Sequence, residues 1–278
     1  MRSKATAMAE TIGKRIHVAL RARARRLTRP TRDWERVSAL AVLLGWCTIA
    51  ACAGWLAPRL GPDLGAWLVA TRSVLIQVVL VVLLSLPGGT LLGVAAALGP
   101  RVLQGALTRA VELTGALPSL IVVGLWRVGS SSATTLGFIL VVALLKAIEV
   151  ARLIAEQTAI EQRRQHVTAA HALGNRPGRI FRVHILPRLF PPLIIETGSV
   201  AAYTVGLEAA ASFIGLGPEH LTSWGTILGR AARRGGEPTG LVWACLLSLT
   251  ATTLALHALG SRPRDEQSNR AFQALKTD

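Results

Sequence analysis

Two carboxylates stand inside apolar sequence. Glu196 and Glu208 are the sole charged residues between positions 190 and 215. An ionised carboxylate in a bilayer interior costs on the order of 3 kcal/mol on insertion scales, so such a group faces water, pairs with another helix, or handles a proton or solute. On a solute path they would meet a cationic group. Bonded to neighbouring helices, or sitting near a water-filled end, they would serve the structure instead. A proton relay through Glu196, Glu208 or His257 would instead make the chain an ion-coupled secondary carrier. Other chemistry is poorly provided for. The six histidines show no metal-ligand spacing, and Cys47 and Cys52, five apart, do not share a helix face. Arg127 reads as a residue that snorkels to the membrane surface. No nucleophile is paired with a base, and no GxxxxGK[ST] phosphate loop occurs, so ATP hydrolysis is not expected on this chain.

A second pattern lies in the polar stretch HVTAAHALGNRPGRIFRVHILPRLFPP, residues 166–192. His166–Leu173 reads as a short helix with Ala169, Ala170 and Leu173 on neighbouring positions of one face. Gly174 stops it, because glycine takes the left-handed conformation cheaply. Pro177 suits the first turn of a second short helix, along which Arg176, Arg179 and Arg182 recur every three residues. Pro187, Pro191 and Pro192 are expected to end that helix. The product is a rigid helix–turn–helix knob of small residues with a basic flank. Its shape suits insertion into a groove on another protein.

The elements that must carry these groups are membrane helices. Of 278 residues, 51% are hydrophobic and 17% charged, with a mean hydropathy of +0.46; soluble domains carry about 25% charged residues. Residues 37–58, 73–100, 128–145 and 238–261 contain no Asp, Glu, Lys or Arg. A hydrocarbon core roughly 30 Å thick takes about 20 such residues per helix. A soluble enzyme and a disulfide-built secreted domain are excluded, since all three cysteines fall in apolar stretches. The reading is all-α and polytopic, with six spans at about 38–57, 73–98, 111–129, 134–153, 190–215 and 240–260. The second bends around Pro87, Gly88 and Gly89, the third is interrupted by Pro118, and Gly89 with Gly93 forms a small-xxx-small pair that admits a close helix.

Charge sets the expected topology. The net charge is +16, and residues 1–37 hold eleven of the 31 Lys and Arg against three acids. This is the mark of a cytoplasmic flank, with 14–29 read as a helix lying on the inner leaflet, rather than of nucleic-acid binding. A cleavable signal peptide is excluded by the long basic region and the full-length span behind it. With the N-terminus inside, 25 Lys and Arg fall on cytoplasmic pieces and six outside. The chain therefore divides into a basic cytoplasmic segment 1–37, a membrane domain 38–260 with a cytoplasmic loop 154–189, and a cytoplasmic tail 261–278.

The knob resembles the EAA motif of ABC-importer membrane subunits, E-A-A-x3-G-x9-I-x-L-P. Ala169 and Ala170 match its alanines, Gly174 its glycine, and Leu186-Pro187 its terminal pair; Thr168 stands where the motif has glutamate. The stretch LEAAASFIGLGPEHLTSWGTIL is similar to the dipeptide/oligopeptide/nickel permease branch at Glu208, Phe213, Gly215, Gly217, Ser223, Trp224 and Gly225. The resemblance implies a multi-pass subunit of the bacterial inner membrane with both termini cytoplasmic. It implies that Thr168, Ala169, Ala170, Leu173, Gly174, Leu186 and Pro187 couple the chain to ATPases. It also implies a second homologous permease subunit, two cytoplasmic ATPase subunits carrying ATP and magnesium, an extracytoplasmic solute-binding protein, and a lipid surround. No cofactor is expected on this chain. The solute would be a peptide, nickel or a metal chelate.

Overall fold

The computed structural model describes residues 39–59, 61–130, 132–235 and 239–260. The basic segment 1–37 and the tail 261–278 lie outside the described residues. The architecture is all-α: among the described residues there is no strand. Helix α1 covers Ala39–Arg59, α2 Pro62–Leu98, α3 Arg101–Ala116, α4 Ser119–Gly129 and α5 Thr135–Gln162. Then come α6 (Gln165–Ala172), α7 (Pro177–Ile180), α8 (Leu186–Ile214), α9 (Trp224–Arg234) and α10 (Gly240–Gly260).

By length and apolarity α1, α2 and α10 qualify as membrane spans, and α3 with α4 adds a fourth if the bent pair counts as one. The helices α5 and α8 are long enough at 28 and 29 residues but carry ionisable groups in their interiors. The segment expected as a third span, 111–129, is not one rod. Its two helices meet at 91° across Leu117 and Pro118, because Pro118 has no N–H to give and pushes Leu117 into extended backbone. Pro87, by contrast, sits inside an unbroken α2, which begins eleven residues before the expected start at 73.

Two clusters hold the bundle. In the first, α2, α4, α5 and α8 bring together Val81, Val123, Phe138, Val142, Val150, Ile154, Leu189 and Val200. Gly89 and Gly93 make this contact possible, as their spacing suggests: a Cβ on Gly89 would stand 2.6 Å from the Ala147 carbonyl oxygen of α5. In the second, Trp224 is fully buried among Ala70, Val74, Ala201, Val205 and Cys245. Trp46 packs against both Trp67 and Trp224, and the Trp224 indole N–H donates to Thr71 Oγ1 at 3.2 Å. Gly198 and Gly260 let α8 and α10 touch backbone to backbone. The opposite faces of the helices expose leucines such as Leu83, Leu91 and Leu247, surface that only lipid or another apolar face covers well.

The helix α9 was not foreseen. Ser223 starts it with a reciprocal capping box to Thr226, which satisfies N–H groups a helix start leaves orphaned. Gly225 and Gly229 then let it lie directly on the end of α8, against Ala209 and Phe213.

Candidate functional site

The knob is present and is built from its own small core. Helix α6 ends as expected at Gly174, whose φ is +76°. The Asn175 N–H and its side-chain amide both donate to the Ala170 carbonyl at 3.2 Å, the six-to-one bond of a Schellman stop. Val167, Ala170 and Ile180 pack together beneath the turn, and the His166 and His184 rings meet at 5.9 Å.

The seven coupling residues do not share one face. Ala170 is buried at 6% exposure, whereas Leu173 is 81% exposed. Thr168 and Ala169 are exposed, and the Thr168 hydroxyl turns back to the Arg164 carbonyl at 3.4 Å. The exposed face of the knob is therefore Thr168, Ala169, Ala172 and Leu173, with Ala170 as the floor behind it. Pro187 is exposed in the first turn of α8, and Leu186 is half-buried beside it.

One expectation is corrected. Pro187, Pro191 and Pro192 do not end the second helix; α7 passes through a π turn, Phe181–Ile185, straight into α8. The reason is local. Pro187 falls in the first turn of α8, where a missing N–H costs nothing extra. The wider π turn before it, in which Leu186 N–H reaches back to Phe181, takes up the change of register.

At the root of the knob sits a carboxylate that the sequence reading passed over. Glu161, near the end of α5, is 5% exposed. It holds Arg164 at 3.0 Å and Arg188 of α8 at 3.6 Å, tying both ends of the knob together.

The two intramembrane candidates separate. Glu208 is 1% exposed and accepts a hydrogen bond from Ser212, one turn on, at 2.7 Å. Its other oxygen has no hydrogen-bond partner among the described residues. Glu208 is therefore enclosed within the packed protein interior. Glu196 is partly buried, two turns above Arg188 on α8.

Four more polar contacts go beyond what the sequence predicts. Arg127 does not snorkel freely; it pairs with Glu219 at 2.7 Å. Lys146, counted with the cytoplasmic charges, is buried between α5 and α8, bonded to Glu149 at 2.6 Å and set over the Tyr203 ring at 3.3 Å. The Tyr203 hydroxyl bonds Ser119 at the start of α4. The sequence signal was present in Lys146 and Glu149, an i,i+3 pair inside otherwise apolar sequence. No cluster of three or more metal-ligating side chains occurs among the described residues.

Comparison with known proteins adds to this geometry. The family model for the inner membrane component of binding-protein-dependent transport systems matches residues 89–261. A probable peptide ABC transporter permease protein of Sinorhizobium fredii is 33% identical over 128 residues, 46% of this chain and 44% of its own length. A putative peptide permease protein of Brucella ovis is 31% identical over 196 residues, covering 68% of this chain and 64% of its own. A putative peptide transport system permease protein of Brucella suis is 26% identical over 216 residues, 76% of this chain and 68% of its own. The chain thus spans between 44% and 68% of the length of these relatives.

Proposed function

The chain belongs to the inner membrane components of binding-protein-dependent transport systems, and on that premise we propose that it is the transmembrane subunit of an ATP-driven importer for peptides or a related small solute. The knob carries this reading: an apolar, solvent-exposed Leu173 beside small residues, on a turn fixed by Gly174, inside the region that matches the family. ATP and magnesium belong to two cytoplasmic ATPase subunits. A second homologous permease completes the membrane part, and an extracytoplasmic binding protein delivers the solute. Peptide is the favoured cargo because the relatives are named for it; nickel and metal chelates follow only from the wider resemblance.

The mechanism is transmission. ATPase closure displaces α6 and, across the Gly174 turn, α7; from there the displacement enters α8 with no further break, since α7, the π turn and α8 form one helical path. Glu161 keeps α5 in step through Arg188. The spans then rock between inward and outward access. Six spans with both termini inside remain the topology that positive charge favours. The ion-coupled carrier is less well supported, because Glu208 is enclosed and bonded within its own helix.

The test is solute uptake by the reconstituted importer beside ATPase stimulation by loaded binding protein. Leu173→Asp and Ala169→Trp are expected to lower both at least tenfold with normal membrane insertion. Full activity in both variants would make residues 165–180 an ordinary solvated loop and remove the main support for this reading.

A further inference from the structure

The Lys146–Glu149 pair is misplaced for a lipid-facing helix. Lys146 lies about 16 Å along α5 from its outer start and Glu149 about 21 Å, at 1.5 Å per residue, both within membrane depth. The two side chains differ in access: 7% exposed for Lys146 and 50% for Glu149. The ammonium is already committed, to Glu149 Oε2 and to the Tyr203 ring, which leaves no room for a second anion. The carboxylate is the accessible member. On Lys146 it uses one of about four lone-pair sites.

A second observation falls at the same place. Tyr203 is bonded to Ser119, the first residue after the 91° break between α3 and α4. Gly115, Ala116, Leu117 and Pro118 are all exposed there. The last carbonyls of α3 have no helical partner and form the negative end of its dipole. Non-helical backbone at membrane depth is tolerated where it is enclosed by protein or lines water, and discontinuous helices of this kind mark solute sites in transporters. Ser199 and Gly206 of α8, one turn either side of Tyr203, are exposed too. Through Ser119, Tyr203 and Lys146 the break between α3 and α4 is linked to the half-exposed Glu149 carboxylate.

We propose that Ser119, Lys146, Glu149 and Tyr203 form a solute-contacting site on the translocation path, in which the Glu149 carboxylate takes a primary ammonium group of the solute, such as a free peptide amino terminus. This rests on the importer reading. Lys146 fixes the position of Glu149, and the α3 carbonyl end adds negative potential. Nothing in the site favours an anionic group.

The experiment uses the assembled importer in proteoliposomes with its binding protein and trialanine as the probe, reading uptake per ATP hydrolysed and normalising to assembled complex. Glu149→Gln is expected to lower this ratio at least tenfold, and Glu149→Asp to keep it within about threefold of wild type. The double variant Lys146→Met with Glu149→Gln separates solute contact from mere charge compensation. The ratio stays low if Glu149 holds the ammonium. Recovery in the double variant, or an unchanged ratio in Glu149→Gln, overturns the proposal. A wild-type complex without ATP-dependent trialanine uptake removes the peptide-importer reading itself, a failure visible before any variant is compared.

Discussion

Gly174 shows how far a single residue could be read in advance. Its role as a helix stop followed from position and type, and its φ of +76° agrees. A Cβ there would meet nothing within 4 Å, so backbone strain alone decides a substitution. Gly174→Val is expected to cost about 1–2 kcal/mol locally and misaim α6, abolishing uptake, while Gly174→Asn, which tolerates the left-handed region, keeps most of it. Ala170 was legible as a small residue but not as a buried one, because Ile180, its cover, arrives from beyond the turn. Ala170→Trp therefore breaks the knob from within and says nothing about docking; a loss of protease resistance in residues 165–185 would report it. Thr168 already lacks the carboxylate of the motif and bonds only weakly to Arg164, so Thr168→Ala is expected to leave uptake within about twofold of wild type. For Glu208 the isosteric Glu208→Gln keeps an acceptor for Ser212 and removes the ionisable group. Unchanged or raised thermal stability with retained uptake is expected, whereas uptake lost with normal assembly would return Glu208 to the transport path.

Elements were legible where one rule governed them. Uncharged runs located α1, α2 and α10 to within a few residues, apart from the early start of α2, where Asp63 and Arg72 disguise a helix that continues outward. The prolines misled in both directions, because a proline's effect depends on its place in the helix and not on its presence. Pro87 is absorbed in mid-helix, Pro118 turns the chain through a right angle, and Pro187 follows a π turn that no periodicity announces. Helix α9 was missed because its capping box and its two packing glycines lie in a segment read only by resemblance. Its start offers a direct check. Ser223→Ala removes the side-chain acceptor of the Thr226 N–H, a loss of about 1 kcal/mol, expected as a lower melting temperature of the purified subunit with assembly intact.

At the scale of the whole molecule, composition alone fixed the class, and charge counting gave an orientation that labelling can examine. With Cys47 and Cys52, both exposed, replaced by serine, a cysteine at Ala172 is expected to be shielded from an impermeant thiol reagent in intact cells. One placed at Glu219 is expected to react. Labelling at position 172 from outside would contradict the arrangement. What the sequence did not disclose is how α5 and α8 enclose Lys146, since burial of a charged side chain is settled by the partner helix and not by its own.

The union of α7, the π turn and α8 has a mechanical consequence. A 29-residue helix is about 43 Å long at 1.5 Å per residue, and tilting it by 10° about its middle carries each end roughly 4 Å in opposite directions. The outer end carries α9, seated on it through Gly225 and Gly229, and Arg233 reaches back to the Phe213 carbonyl at 3.0 Å. With the knob cytoplasmic, the arrangement positive charge favours, a push delivered there would reappear, inverted in direction, as a sideways swing of α9 on the other side of the bilayer. In that arrangement α8 would act as a first-class lever whose fulcrum is its close seam with α10 at Gly198 and Gly260.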